Sequence, residues 1–177
     1  MMLAQSPSMI GATKWVHDGS WGTKGLYPLQ SRVWGKRVGI LGLGRIGFEV
    51  AKRLAGFNLN IAYSDVSAMS YAPDWTFTPD KISLAEHADF LFVTLASSAN
   101  THHIVGVEAL DALGPDGMVI NISRATNIEE KALLTALENK TVGFAALDVF
   151  EGESTLNPRF LALDNVMVQP HHAYGTY

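Results

Sequence analysis

This sequence predicts an α/β fold with a doubly wound parallel sheet, and three observations predict it. From Arg37 onward, short apolar runs alternate with segments of helical spacing. The runs are nearly continuous in their apolar character rather than apolar at every second residue, which marks parallel strands buried on both faces. The first run, residues 38–41, leads into Gly42-Leu43-Gly44-Arg45-Ile46-Gly47 and then into residues of helical spacing. That order of strand, glycine turn and helix is how a dinucleotide-binding unit of the Rossmann type begins.

Taken in order, the chain opens on a stretch unlike the rest. Residues 1–30 hold Trp15 and Trp21, two of the four tryptophans, among Gly, Ser and Lys. Met9-Ile10 and Trp15-Val16 are apolar islands without a clean period, so a short helix followed by an irregular arm is expected. We place the boundary of this linker helix and arm at residues 1–33 and that of the dinucleotide-binding domain at residues 34–177. Two placements are open for the tryptophan rings. They pack against a partner subunit or a further domain, or they fold back on their own domain.

The strands expected after this are residues 38–41, 59–63, 90–95, 118–122, 143–147 and 166–168, with a short addition at 75–77. The helices expected are residues 45–55, ended by Gly56, then 83–87, 106–113 and 128–139. The last shows Ala132, Leu133, Ala136 and Leu137 on one face and Glu129, Glu130 and Lys131 on the other. Gly114-Pro115-Asp116-Gly117 forms a turn ahead of a strand.

The glycine turn has a specific chemistry. Gly42 permits a tight bend, Gly44 lets the backbone approach a pyrophosphate, and Gly47 lets the helix lie close to the strand. The helix that opens at Arg45 and Ile46 offers unpaired N–H groups and a positive dipole end to phosphates. Asp65 follows the second apolar run, about 20 residues on, where an acid meets the ribose hydroxyls of the adenosine. Such a carboxylate repels a 2′-phosphate, so NAD is the expected cofactor, with NADP possible. The simpler role for Asp65 is to cap a loop.

Composition narrows the classes. The length of 177 residues suits one domain, and 47% hydrophobic with 17% charged residues is globular. A net charge of −4 offers no basic face for nucleic acid. With no cysteine there is neither disulfide nor thiolate chemistry. No apolar run approaches the roughly 20 residues of a membrane span, and residues 1–10 make a poor signal peptide. A cytoplasmic location without membrane contact is therefore expected. No metal is expected, since the histidines and acids lack metal-ligand spacing.

Ligands sit at the carboxyl ends of parallel strands. Arg124 follows the strand at 118–122, Asp148, Glu151 and Glu153 follow that at 143–147, and His171 and His172 follow that at 166–168. This set suits reduction of a carbonyl: an Arg grips a carboxylate with paired hydrogen bonds, and a His passes a proton with an acid beside it. From the residues alone Glu151 competes with Glu153, and only one of two adjacent histidines can face the site.

From about Trp34 onward the chain resembles the cofactor-binding domain of the D-isomer-specific 2-hydroxyacid dehydrogenases, in the glyoxylate/hydroxypyruvate reductase branch. The blocks that carry the resemblance are GLGRIG (residues 42–47), ALGPDGMVINISRA (112–125), AALDVFEGE (145–153) and QPHHAYGT (169–176), and Gly19-Ser20-Trp21 resembles a G-x-W ahead of the domain. The resemblance implies a two-domain enzyme whose substrate domain lies outside this chain, a 2-oxo acid or 2-hydroxy acid substrate, and a homodimer formed through the cofactor domain. It implies that Arg124 binds the substrate carboxylate, that His171 is the proton donor with Glu153 as its partner, and that Asp148 lies near the nicotinamide carboxamide. A non-catalytic NAD(H)-sensing module is the alternative, since the family includes corepressor relatives. Three positions depart from the family pattern. Ala125 stands where Gly is usual and adds a methyl at a tight site. Ser154 stands where Pro is usual and is expected to loosen the loop carrying Glu153. Leu95-Ala96 replaces Leu-Pro.

Overall fold

The computed structural model describes residues 1–5 and 8–173. Seven strands form one sheet: β1 (Arg37–Leu41), β2 (Asn60–Ser64), β3 (Thr76–Phe77), β4 (Phe90–Val93), β5 (Met118–Asn121), β6 (Phe144–Leu147) and β7 (Val166–Val168). Their order is β3-β2-β1-β4-β5-β6-β7, and every pairing is parallel. The chain winds outward from β1 to β3, returns past β1 to β4, and continues to β7. The switch point of the doubly wound fold is therefore the β1–β4 pair.

Both faces of the sheet are covered, as continuous apolar strands require. On one face α5 (Lys81–Glu86), α6 (Val107–Leu113) and α7 (Glu130–Glu138) bury Leu84, Leu110, Leu133 and Leu137 against Leu91, Val119 and Ala145. On the other, α4 (Arg45–Leu54) buries Ala51 and Leu54 against Ile40, Phe92 and Ile120, joined by Met2 from α1 (Met2–Gln5). α7 buries Leu134 as well as the four residues expected on its inner face. No described helix is long and apolar enough to cross a membrane.

Register places the site. Leu41 is level with Ser64 and Val93, Val93 with Asn121, Asn121 with Leu147, and Leu147 with Val168. The carboxyl ends of the main strands stop in step. Gly42, Asp65, Thr94, Ile122, Asp148 and Gln169 then leave the sheet together along one edge.

Several boundaries differ from expectation for local reasons. β4 ends at Val93, not Leu95, because β1 has already turned away at Gly42 and Thr94 directs its hydroxyl to the Gly42 carbonyl (2.6 Å). α7 starts at Glu130, not Ile128, because Ile128 is extended and bridges Val105. α5 starts two residues early, where the Asp80 side chain accepts the Ser83 N–H at 2.7 Å. α4 gives way at Ala55 to a 3-10 turn that ends on left-handed Asn58 (φ 55°), so Gly56 does not end it. A short α8 (Pro158–Leu161) went unpredicted, although Asn157 capping a helix with Pro at its start is a sequence-level signal.

The N-terminal stretch forms three short helices, α1, α2 (Met9–His17) and α3 (Ser20–Lys24), in place of one helix and an irregular arm. Its two tryptophans part company. Trp15 packs edge-on to Tyr27 with ring centroids 5.5 Å apart, under the Lys24 ammonium, and its indole N–H reaches the Gly25 carbonyl at 2.9 Å. Trp21 stays 60% exposed.

Candidate functional site

At the glycine turn, sterics and hydrogen bonds fix the backbone. Gly42 has φ 96°, a left-handed value suited to glycine. A Cβ on Gly47 would run into the Gly42 carbonyl oxygen and would meet the Thr94 hydroxyl at 2.8 Å, so α4 lies tight on the turn. A Cβ on Gly44 would meet nothing within 4 Å, because that residue faces open space. The Gly42 N–H donates to the Ser64 carbonyl at 2.9 Å, and the Thr94 hydroxyl donates to the Gly42 carbonyl. The Leu43 N–H donates to Asp65 Oδ2 at 2.8 Å, and the Tyr71 hydroxyl donates to the Leu43 carbonyl at 2.6 Å.

The helix that follows is different. Its N-cap, Gly44, offers no side-chain cap, so the N–H groups of Arg45, Ile46 and Gly47 have no partners among the described residues. They open on a cleft of about 1010 Å³ lined by Gly44, Arg45, Ile46, Thr94, Ser97 and Arg124, among others. The open position at Gly44 and the uncapped helix start fit the diphosphate of a dinucleotide.

Asp65 is half-exposed at the end of β2. One oxygen holds the Leu43 N–H and the other accepts the Val66 N–H at 2.8 Å. It thus caps the glycine turn. An ionised carboxylate has acceptor sites beyond these two, which keeps a second hydrogen-bonding role chemically open.

Arg124 is placed by a buried network that the sequence did not reveal. Asn121, 1% exposed, accepts the Ser123 N–H at 3.0 Å and its hydroxyl at 2.9 Å, and its amide donates to the Arg124 carbonyl at 3.1 Å. Asn127 ties Ser123 Oγ and the Leu95 carbonyl together at 3.0 and 2.9 Å. The signal was present, since an Asn closes an otherwise apolar strand. The guanidinium donates to the Ser123 carbonyl at 2.7 Å and lines the cleft.

Of the competing acids and histidines, one acid and one histidine side chain are in contact. His171 Nδ1 lies 2.7 Å from Glu153 Oε2, while Glu153 Oε1 accepts the Phe150 N–H at 3.0 Å. Glu151 turns elsewhere, 3.5 Å from His103 Nε2, with its N–H on the Glu130 carboxylate. His172 takes part through its backbone. Its N–H and that of Ala173 both donate to the Asp148 carboxylate, at 2.8 and 2.9 Å. Asp148, 2% exposed, is therefore a latch that fastens the segment carrying His171 to the end of β6. The end of the last family-like block, residues 174–176, lies outside the described residues.

Partial burial pushes Glu153 up, but the hydrogen bonds from His171 and Phe150 and the charges of His171 and Arg124 outweigh it, and its carboxyl is held below the usual range. Arg124, Glu153 and His171 thus form one electrostatic group.

Comparisons with known proteins bear on the family and the fold. The family model described as "D-isomer specific 2-hydroxyacid dehydrogenase, NAD binding domain" matches residues 1–173. The chain is 42% identical over 165 residues to a glyoxylate/hydroxypyruvate reductase of Arabidopsis thaliana, covering 93% of this chain and 51% of that protein. It superposes with TM-score 0.95 and 62% identity on a 2-hydroxyacid dehydrogenase from Ketogulonicigenium vulgare Y25, covering 99% of this chain and 55% of the other. With an NADPH-dependent glyoxylate/hydroxypyruvate reductase from Sinorhizobium meliloti, solved with NADP and malonate, the TM-score is 0.92 at 36% identity, with 99% and 55% coverage. The chain spans about half the length of the relatives it matches.

The lowered Glu153 has a consequence for stability. Its folded value lies below the ordinary 4.5, so its contribution is fully present above that pH and is lost as the pH falls through the folded value. The stability advantage of wild type over Glu153→Gln should therefore shrink as the pH is lowered from neutrality through 4.5 and below. Urea midpoints of the two proteins across that range check this, and an advantage that grows with acid would contradict it.

Proposed function

The chain belongs to the D-isomer specific 2-hydroxyacid dehydrogenase family, of which it is the NAD-binding domain, and we propose that it is the cofactor half of an enzyme that moves a hydride between NAD(H) and a 2-oxo acid/D-2-hydroxy acid pair of the glyoxylate or hydroxypyruvate type. The observation that carries this reading is the 2.7 Å contact of His171 with Glu153 on the strand edge shared with Arg124 and the uncapped helix. A pure NAD(H) sensor need not keep that arrangement. The relatives named as reductases support it too.

In this reading the bound nicotinamide supplies or accepts the hydride. Gly42, Gly44, Arg45, Ile46 and Gly47 hold the diphosphate, and Asp65 receives the ribose hydroxyls. Arg124 binds the substrate carboxylate and polarises the neighbouring carbonyl. With Nδ1 engaged by Glu153, His171 gives its proton from Nε2 to the carbonyl oxygen in reduction and takes it back in oxidation. Glu153 fixes the ring and balances the charge of the protonated imidazole. Asp148 keeps His171 at the site and borders the nicotinamide. Residues 1–33 serve as linker and arm, and a separate domain covers the other side of the substrate. The arm leaves Trp21, Leu26 (87%) and Leu29 (101%) exposed, which supports a homodimer through this surface.

Three outcomes are expected. The chain binds NADH with little turnover of glyoxylate or hydroxypyruvate, because no described residue closes the far side of the substrate against water. Joined to a substrate-binding domain it turns over, and His171→Ala there lowers kcat by about 10²- to 10⁴-fold while leaving NADH affinity unchanged. Fast turnover by the chain alone, or an active His171→Ala enzyme, would sink the scheme. Asp65 should favour NADH over NADPH by about tenfold in Kd, and tighter NADPH binding in a direct titration would refute that. Sedimentation at micromolar concentration should give twice the 19.2 kDa of the chain, and a clean monomer would remove the dimer from the proposal.

A further inference from the structure

The carbonyl of Leu43 and the N–H of Gly44 belong to one planar peptide and point in opposite directions. Whatever fixes the first aims the second. The Leu43 carbonyl is fixed by the Tyr71 hydroxyl at 2.6 Å. The Gly44 N–H has no partner among the described residues. Leu43 itself is fully buried, and its own N–H is held by Asp65.

Sterics alone do not hold this peptide. Gly44 has no side chain and open space where a Cβ would stand, and glycine accepts φ of either sign, so rotation of the Leu43–Gly44 peptide meets little resistance. A rotated peptide would present a carbonyl oxygen to the cleft in place of an N–H, and a carbonyl oxygen repels an anion. A hydrogen bond is what remains to hold the orientation.

Tyr71 is placed for this. It lies in the segment between β2 and β3, 28 residues from Leu43, and its ring packs edge-on against Phe48 of α4, with centroids 5.2 Å apart at 84°. Trp75 backs Phe48 from 5.4 Å. The phenol is thus braced on the helix whose start faces the cleft. Tyr71 is 51% exposed, so its hydroxyl can be removed without opening the core.

We propose that Tyr71 is a positioning residue. Its hydroxyl locks the Leu43–Gly44 peptide with the Gly44 N–H toward the cleft and so sets affinity for the diphosphate of the dinucleotide. The assignment rests on the cofactor reading given above. The test compares wild type with Tyr71→Phe, which keeps the ring on Phe48, in two measurements on the 177-residue chain. One is the Kd for NADH and for ADP-ribose by calorimetry. The other is the ¹⁵N–¹H resonance of Gly44 in the free protein. The variant should bind both ligands about five- to tenfold more weakly, with the Gly44 resonance broadened by exchange and core amides such as that of Val119 unmoved. Unchanged affinities would overturn the assignment, and so would a loss of affinity with the Gly44 resonance unaltered. Wild type that binds neither ligand would overturn the cofactor reading itself, and the assignment with it, whereas a wild type that binds and a variant that binds equally well overturns the assignment alone.

Discussion

A buried backbone polar group has to find a partner, and at the carboxyl edge of this sheet that requirement shapes the site. Within the sheet the parallel ladders satisfy these groups. Past the last ladder bond each chain segment must be tied by something else, and here polar side chains at the strand ends do it. Asp65 after β2 takes the Leu43 N–H, and Thr94 after β4 covers the Gly42 carbonyl. Asn121 at the end of β5 holds Ser123 and Arg124, and Asp148 after β6 holds His172 and Ala173. Because the strands stop in step, these four ties lie along one edge, and the loops they fasten are those that bear the glycine turn, Arg124 and His171.

This arrangement separates the groups that hold the backbone from the charged groups at the candidate site. Asn121 and Asp148 are 1% and 2% exposed, and each ends in hydrogen bonds to neighbouring backbone. The side chains of His171 and Glu153 are 36% and 37% exposed, with Arg124 also exposed. A charged pair so open is screened by water and adds little to stability. The same pair, once covered, works in a medium where its field is far stronger. The buried ties therefore set geometry in advance, and the side chains they position stay open to solvent.

What the sequence disclosed follows from the range of the forces involved. Continuous apolar strands, the glycine turn and the inner face of α7 are local patterns, and they placed the sheet and the edge with its Arg, acid and His. Partners distant in the chain stayed hidden. Nothing near Tyr71 marks it as the partner of Leu43, since the two meet only when the segment after β2 folds over α4. Asn127 reads as an ordinary polar residue until the loop after β5 comes beside the Leu95 carbonyl, which accepts its amide N–H. The start of α7 was misjudged because Ile128 joins Val105 across the fold, a tertiary contact that overrides helical spacing. Trp15 packs on Tyr27 within the arm, a contact that the spacing could not show.

The departures from the family pattern lose their force on the same principle. Ala125 opens a 3-10 turn and has no positive φ, so its methyl meets no conformational objection. Ala96 lacks the stiffness of a proline, but its carbonyl accepts the Thr101 hydroxyl at 2.8 Å, and the same hydroxyl oxygen accepts the Ser98 N–H at 2.8 Å, stitching the loop from inside. Ser154 was expected to loosen the loop around Glu153. The Glu130 carboxylate answers that by accepting the Glu151 N–H at 3.1 Å and the Asn157 amide at 3.2 Å, which clamps the loop at both ends from the first turn of α7. A proline restricts a loop by removing a backbone freedom. Hydrogen bonds from a neighbouring element restrict it by holding its ends, and here that second means keeps Glu153 against His171.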